Sequence, residues 1–571
     1  MNPWSASRAV SARAKPRAFF PAVPAPRRGG RPELGASEAG LATDACLELY
    51  LRRRFLPWRR EGEGIVIAAA DPSAANLAWL RDTYGGAQIV SIAPHDLHRE
   101  IAHRFRDRLS DDAVFSLWSR MPGLSARYRV TRSQAAIFLA AGMAVAAACC
   151  LWPLSVVEIL VAAMSAGFAV SATFRTALAL LGARNKKDSA PRPAEGVLPV
   201  YTILVPLYRE AEVLPQLARA LSALDYPRDC LDIKFVVEED DRETCAAAEA
   251  LAARDHFEVL HVPTSLPRTK PKACNYALRF ARGEYLVIYD AEDRPEADQL
   301  RKAVAGFRKA SPETVCLQAR LAINNAGDGW LARMFALEYA VWFKALLPEL
   351  DKLGVPIPLG GTSNHFRTAI LRAAGGWDPF NVTEDADLGI RLAQLGYRVS
   401  MLDSTTFEEA PARLGTWLRQ RSRWLKGYMQ TWLVHARDPV ALVRRIGWRG
   451  VCMLQLFLGG AIWSALFNPV LWLIFAVCCV FPHSYEDLQT LGVLARISGL
   501  GLFAANIMLM GLAFSGVRRK LMLVPYGLCF VFYWALISIA AYRGLWQLVF
   551  KPFYWEKTPH GQTRCAGAVD V

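Results

Sequence analysis

Two apolar runs, residues 135–154 and 156–174, precede a long region of mixed polarity, and further apolar stretches follow from residue 451 onward. Each of the first two runs is near the roughly 20 residues that cross a bilayer as a helix. In a hydrocarbon layer such a run must satisfy its own backbone, so it folds as a helix and not as an open strand. The pair reads as a hairpin. Arg127, Arg129 and Arg132 stand before it and Arg184, Lys186 and Lys187 after it, which places both ends, and the region that follows, on the cytoplasmic side. The chain has 571 residues, enough for two or three units. Its net charge of +15 gathers beside the apolar segments, also at Arg444, Arg445 and Arg449, which is the pattern of a membrane partner and not of nucleic acid. The twelve cysteines contain no Cys-x-x-Cys pair, and Cys149, Cys150, Cys478 and Cys479 lie inside apolar runs, arguing against a zinc site or a secreted disulfide framework.

Residues 1–43 begin with a stretch rich in Pro and Arg, without the apolar core of a signal peptide, and read as a disordered basic arm. From 44 to 125 a small α+β domain is expected: a strand and turn at 65–72, a helix at 74–84, then the same order repeated. Residues 185–195, rich in Lys, Pro and Ala, read as a linker. Between 198 and 321 strands alternate with helices, which predicts a parallel sheet with helices on both faces and ligands at the carboxyl ends of its strands. Two acidic clusters stand at such ends: VVEEDD, with Glu238, Glu239 and Asp241, and YDAED, with Asp290, Glu292 and Asp293.

A hard divalent ion, Mg or Mn, held by one or two carboxylates is the usual receptor for a pyrophosphate, which makes Asp290 and Glu292 the metal candidates. Lys272, just before a helix, is a candidate phosphate contact, and Asn275 is placed to order its loop. Asp385, with Glu384 beside it, follows Thr383 as a plausible helix cap and is the candidate general base for a sugar hydroxyl. Residues 413–435 have an amphipathic spacing and are expected to lie on the membrane surface, as are residues 329–347. On the first of these helices Arg423 would reach a diphosphate, Trp424 would stack on an acceptor sugar and Gln420 would hydrogen-bond it.

With these motifs in order, residues 200–435 resemble the catalytic domain of family 2 glycosyltransferases of the cellulose synthase type, whose signature is three separated acidic motifs followed by Gln-x-x-Arg-Trp, matched by Gln420, Arg423 and Trp424. The resemblance implies an α/β nucleotide-sugar-binding domain of the GT-A type, inserted between transmembrane helices. It further implies uridine contacts from the Glu238–Asp241 cluster, metal diphosphate at Asp290 and Glu292, and Asp385 as base. Thr362, Ser363 and Asn364 would lie near the acceptor. The sequence departs from the family in carrying Glu238 and Glu239 where Asp is usual, and Glu in place of Asp at 292. Residues 44–107 resemble the small N-terminal domain of type II secretion ATPases. Some relatives of that domain bind cyclic di-GMP through an arginine-leucine motif with a long leucine pattern, which is not found here; docking to an envelope or secretion partner is the other reading.

The implied protein is a multi-pass enzyme of a bacterial inner membrane. It would move a hexose from a UDP-sugar with inversion onto a growing β-linked polysaccharide, or singly onto a polyprenyl phosphate or other lipid; the reading of another class is a non-catalytic docking or signalling protein. In the C-terminal part, apolar stretches at 451–467, 470–481, 497–515 and 521–541 give four helices, six in all, with a cytoplasmic tail from 547. If Asn468-Pro469 is a kink and not a hairpin, the total is five. FYWEKTPHG, at 553–561, resembles a tail motif of related transferases and is a candidate gate or anchor.

Overall fold

The computed structural model describes residues 37–38, 40–71, 73–184, 193–253, 257–480, 493, 501 and 530–556. Most of the arm and of the linker, nearly all of the apolar stretch 497–515, the loop 516–520, residues 521–529 and the tail beyond 556 lie outside the described residues. The chain divides into two compact units, Met1–Phe105 and Arg106–Val571.

The first unit runs α1 (Leu47–Arg53), β1 (Phe55–Glu61), β2 (Gly64–Ala69), α2 (Ala74–Tyr84), β3 (Gln88–Ser91) and α3 (Pro94–Arg104). β2 is central, antiparallel to β1 and parallel to β3. Phe55, Leu56, Ile67, Leu80, Leu97 and Ile101 form its interior.

The second unit opens with α4 (Arg106–Arg120), which the sequence reading assigned to the N-terminal domain. Its buried face of Leu109, Ala113, Val114 and Leu117 belongs to the second unit, where the Asn275 amide donates to the Ala113 carbonyl at 3.0 Å. Then come α5 (Arg132–Leu151) and α6 (Pro153–Arg184), the expected apolar pair. A capping box starts α5, Thr131 and Gln134 each accepting from the other's backbone.

The sheet region follows as β4 (Tyr201–Leu207), α7 (Leu214–Ser222), β5 (Leu231–Glu238), α8 (Arg242–Ala252), β6 (Phe257–Val262), α9 (Lys270–Leu278), β7 (Tyr285–Ile288), β8 (Arg294–Pro295), α10 (Gln299–Lys309) and β9 (Thr314–Ile323). Next are α11 (Trp330–Val341), a π-turn (Trp342–Leu346), α12 (Leu347–Lys352), β10 (Asn364–Arg367), α13 (Thr368–Ala373), α14 (Glu384–Gln394), β11 (Arg398–Glu408) and α15 (Leu414–His435). The eight strands lie in the order β6-β5-β4-β7-β10-β9-β11-β8. Only the first four form the expected parallel block; β10 is antiparallel to both its neighbours, so the sheet is mixed. β4 and β5 are buried almost throughout, as central parallel strands covered on both faces must be.

The chain ends, within the described residues, in α16 (Pro439–Leu454, broken at Gly447 with φ 69°), a second π-turn (Gln455–Gly459), α17 (Gly460–Val480) and α18 (Phe530–Phe550). Pro469 lies inside α17, so the stretches 451–467 and 470–481 are joined in one helical path and not in a hairpin. A proline is tolerated in such an apolar helix because neighbouring helices and polar side chains re-satisfy the freed backbone. Among the described residues three helices are long and apolar enough to cross a membrane: Arg132–Leu151, Pro153–Gly182 and Pro439–Val477.

α15 was expected on a membrane surface but is largely buried. Trp417, Leu425 and Met429 join Tyr533, Ile537, Ala540 and Ala541 of α18 in one apolar core, and the polar residues between them are used inward.

Candidate active site

The carboxyl ends of β4, β5 and β7, the N-termini of α9 and α14, and one side of α15 surround a cavity of about 860 Å³. Glu238, Asp290, Glu292, Thr362, Glu384, Asp385, Gln420, Arg423 and Trp424 line it, so nine of the residues singled out in the sequence meet across separations of up to about 190 positions.

The candidate base is delivered by α14. Thr383 occupies the cap position, yet its hydroxyl makes no capping bond; its backbone N–H donates to Asn381 Oδ1 at 3.0 Å. α15 holds this loop directly: the Val382 N–H donates to Gln430 Oε1 at 3.1 Å and Asn381 Nδ2 to Thr431 Oγ1 at 2.9 Å. Gly427 of α15 lies against the Thr383 side chain, an approach that leaves no room for a Cβ. Asp385 is 6% exposed and its Oδ1 is buried with no partner among the described residues, an acceptor kept for something outside the protein. Its Oδ2 lies 3.9 Å from where a Cβ on Gly361 would stand. Burial pushes the Asp385 carboxyl up to about 6, with Lys270 opposing and Asp290 adding to the rise. Burial and the neighbouring Asp385 push Glu384 further, to about 8. The two adjacent carboxyls are therefore unlike: both are raised, Glu384 further than Asp385.

Lys270 is the cation facing these acids. Its Nζ lies 2.6 Å from Asp290 Oδ1 and donates to the Gly361 carbonyl at 2.7 Å. Burial works against its charge, but Asp290, Asp385 and Glu384 outweigh this and raise its pKa. The sequence reading chose Lys272 instead. Lys272 is 1% exposed and turned inward, donating to Glu238 Oε2 at 2.9 Å and to the Pro263 carbonyl at 3.1 Å. The available signal was helical phase: α9 starts at Lys270, so two lysines two positions apart leave the helix in different directions.

Four other expected contacts are not among the residues lining the cavity and are held by structural partners. Glu239 pairs with Arg106 at 2.5 Å and accepts from the Thr264 N–H at 2.9 Å. Asp241 caps α8, accepting from the Thr244 N–H at 3.3 Å and from the Arg209 N–H. Ser363, with φ 55°, donates to Thr406 Oγ1 at 2.6 Å. Asn364 Nδ2 donates to the Gly360 carbonyl at 2.7 Å, and Ser363 and Asn364 are fully buried. Thr362 lines the cavity while donating to the Ile288 carbonyl at 3.1 Å and to Asp293. Asn275 lies within α9 and holds the Trp377 turn, accepting from the Trp377 N–H at 2.9 Å and donating to the Trp377 carbonyl at 2.8 Å.

On α15, Arg423 stacks over Trp555, 4.7 Å from the ring centroid, and its Nε has no partner among the described residues. Gln420 Oε1 is likewise unpartnered. Trp424 packs on Tyr339 and Phe335 and receives Arg421 on its ring at 4.7 Å. Arg421 itself is bound to Glu338 at 2.7 and 2.5 Å.

Acids outnumber cations here. Asp290, Glu292, Glu384, Asp385 and Glu408 line the cavity facing Lys270 and Arg423, and buried Asp293 has an unpartnered Oδ1. Burial and the nearby carboxylates hold Asp293 and Glu408 well above the ordinary carboxylate range. Among the described residues no three acidic, His or Cys groups form a closed cation cage. This donor set suits an ion that keeps one or two carboxylates and takes its other ligands from phosphate and water, with Asp290 and Glu292 as the protein's share.

Residues 285–485 match the family model described as glycosyl transferase family group 2. Curated relatives include a probable glycosyltransferase, YdaM, of Bacillus subtilis (27% identical, over 40% of this chain and 55% of that protein) and the beta-monoglucosyldiacylglycerol synthase of Trichormus variabilis (28%, over 42% and 51%). A probable glucomannan 4-beta-mannosyltransferase of Arabidopsis thaliana is 27% identical over 40% of this chain and 43% of its own length. The chain thus spans about half the length of the curated relatives it matches. Among solved structures, a mannosyltransferase of Pyrobaculum calidifontis in complex with GDP-mannose and Mn2+ aligns over 60% of this chain and 97% of its own, with a TM-score of 0.42 and 22% identity.

Proposed function

We propose that this chain is a membrane hexosyltransferase that moves a sugar from a nucleoside diphosphate hexose, UDP-linked in the first reading, to an acceptor hydroxyl with inversion. The observation that carries the reading is the meeting of Asp385, whose buried Oδ1 has no partner among the described residues, with Lys270, Arg423 and the Asp290–Glu292 pair in one cavity. The family match and the glycosyltransferase names of the relatives support it. Asp385 takes the proton of the acceptor hydroxyl as its oxygen forms a bond to the anomeric carbon; the bond from that carbon to the diphosphate breaks and the nucleoside diphosphate leaves. A Mg or Mn ion bound at Asp290 and Glu292 supplies charge neutralisation for the diphosphate. Arg423 and Lys270, both lining the cavity, would stabilise the charge that grows on the departing diphosphate. Trp424 and Gln420 present an aromatic face and an amide to the acceptor sugar.

The acceptor in the first reading is a growing β-linked polysaccharide that leaves through the helices. The second reading, transfer to a lipid, is favoured by the way the cavity lining continues onto α6, α17 and α18 at Arg175, Ala461, Trp534 and Ile537. The deciding experiment incubates the full chain in lipid nanodiscs with Mn2+ and a panel of radiolabelled UDP-hexoses, with Asp385→Asn alongside. A metal-dependent ladder of high-mass product absent from the variant supports the polymer reading, and a single glycolipid supports the second. Equal incorporation by Asp385→Asn sinks the assignment of the base.

A further inference from the structure

α6 is apolar enough to cross a bilayer, yet it carries Arg175 seven residues before Gly182, the end of its apolar span, and Arg175 lines the cavity. A guanidinium in such a helix is costly unless it has a partner, and its position marks a functional site by default. No carboxylate pairs with Arg175 among the described residues. Its Nη2 donates to the Phe457 carbonyl at 3.1 Å, and its Nε is buried with no partner. Phe457 belongs to the π-turn Gln455–Gly459, where the helical ladder is loosened. Trp342, in the other π-turn, packs on the Phe457 ring at 4.6 Å, so two interrupted helices meet beside this one cation. Glu338 and Tyr428 act on it electrostatically, and the cavity that it lines also has walls of Trp342, Ala461, Trp534 and Ile537, a surface for an apolar body.

Resting on the transferase reading, we propose that Arg175 recognises the phosphate of a lipid-linked acceptor, whose apolar chain lies among α6, α17 and α18 while its reactive hydroxyl reaches toward Asp385. A planar fork of donors suits a phosphate better than any neutral sugar does. The cavity then has two anion sites of different kind: the diphosphate of the donor at Lys270, Arg423 and a metal, and a single lipid phosphate at Arg175.

The test measures binding, so that it stands independently of turnover. Fluorescent farnesyl phosphate is titrated into the full chain in phosphatidylcholine nanodiscs, with farnesol as the neutral control, for wild type, Arg175→Ala and Arg175→Lys. Losing one charge-assisted contact should weaken farnesyl phosphate binding by about tenfold or more in Arg175→Ala. Arg175→Lys should recover part of this, and farnesol should bind equally to all three. Excess inorganic phosphate should not compete; competition by it would point to a free anion and overturn the lipid assignment. Equal binding of farnesyl phosphate by wild type and both variants, or of farnesol and farnesyl phosphate by wild type, overturns the proposal. UDP binding in the same nanodiscs with Asp290→Asn reports on the donor reading separately, so that either one can fail alone.

Discussion

Two lysines two positions apart make different statements about the molecule. Lys270 faces the cavity and bridges Asp290 and the Gly361 carbonyl, whereas Lys272 is buried against Glu238. Lys270→Ala should leave the melting temperature nearly unchanged and weaken UDP binding. Lys272→Ala removes one partner of a buried ion pair and should lower stability by about 3–5 kcal/mol, read by denaturant unfolding. Asp385→Asn should lower transfer by about 10²–10⁴-fold while UDP binding is retained. With Asp385 as the proposed base and burial raising its pKa to about 6, wild-type transfer should fall as pH drops through about 6. Both Asp385 and Glu384 have folded pKa values above their unfolded ones. Their contribution to stability is therefore full at low pH and is lost as pH rises through about 6 and then about 8. The metal-free protein should melt progressively lower from about pH 4 to pH 8, and Glu384→Gln should flatten the part of that fall between pH 6 and pH 8.

At the level of elements, α15 is both the source of Arg423 and the support of the base on α14. Gly427→Ala would drive a methyl group into Thr383 and displace the turn that delivers Asp385, although it touches neither substrate nor metal. The expected outcome is a reduction in kcat of about tenfold or more with unchanged UDP affinity, checked by steady-state kinetics beside a UDP titration. Most of the elements here were legible in the sequence: β4 to β7 with α7, α8 and α9 follow the alternation of apolar runs and helical spacing, and Asp290, Asp385, Arg423 and Trp424 follow from their motifs. What was not legible has a common physical origin. Direction around a helix or strand end decides whether Lys270 or Lys272 faces the ligand, and sequence spacing leaves that phase open at an element's first residue. The burial of α15 was hidden because an amphipathic stripe with Arg and Trp looks the same whether it meets lipid or α18. The antiparallel insertion of β10 between β7 and β9 depends on a pairing of residues far apart in the chain.

For the molecule as a whole, the proposed reaction and the excess of acids over cations in the cavity predict dependence on a divalent ion. Chelation by EDTA should abolish transfer, and Mn2+ or Mg2+ should restore it; Asp290→Asn should raise the concentration of ion needed, measured as activity against free metal. The two π-turns carry a consequence for how this chain tolerates length changes. A π-turn holds a single extra residue in one turn of helix, so it acts as a phase shift between the segments on either side. Deleting one residue within Gln455–Gly459 would let the backbone run as ordinary α-helix and keep everything after it in phase, whereas straightening the turn with no residue removed would turn everything after it by ~100°. Ala461 would then rotate away from the cavity, and Trp463, now hydrogen-bonded to the Met164 carbonyl of α6, would swing off its neighbour, with every motif residue still in place. The spacing between the Gln-x-x-Arg-Trp helix and the last apolar helices is thus as much a part of the site as the residues that line it.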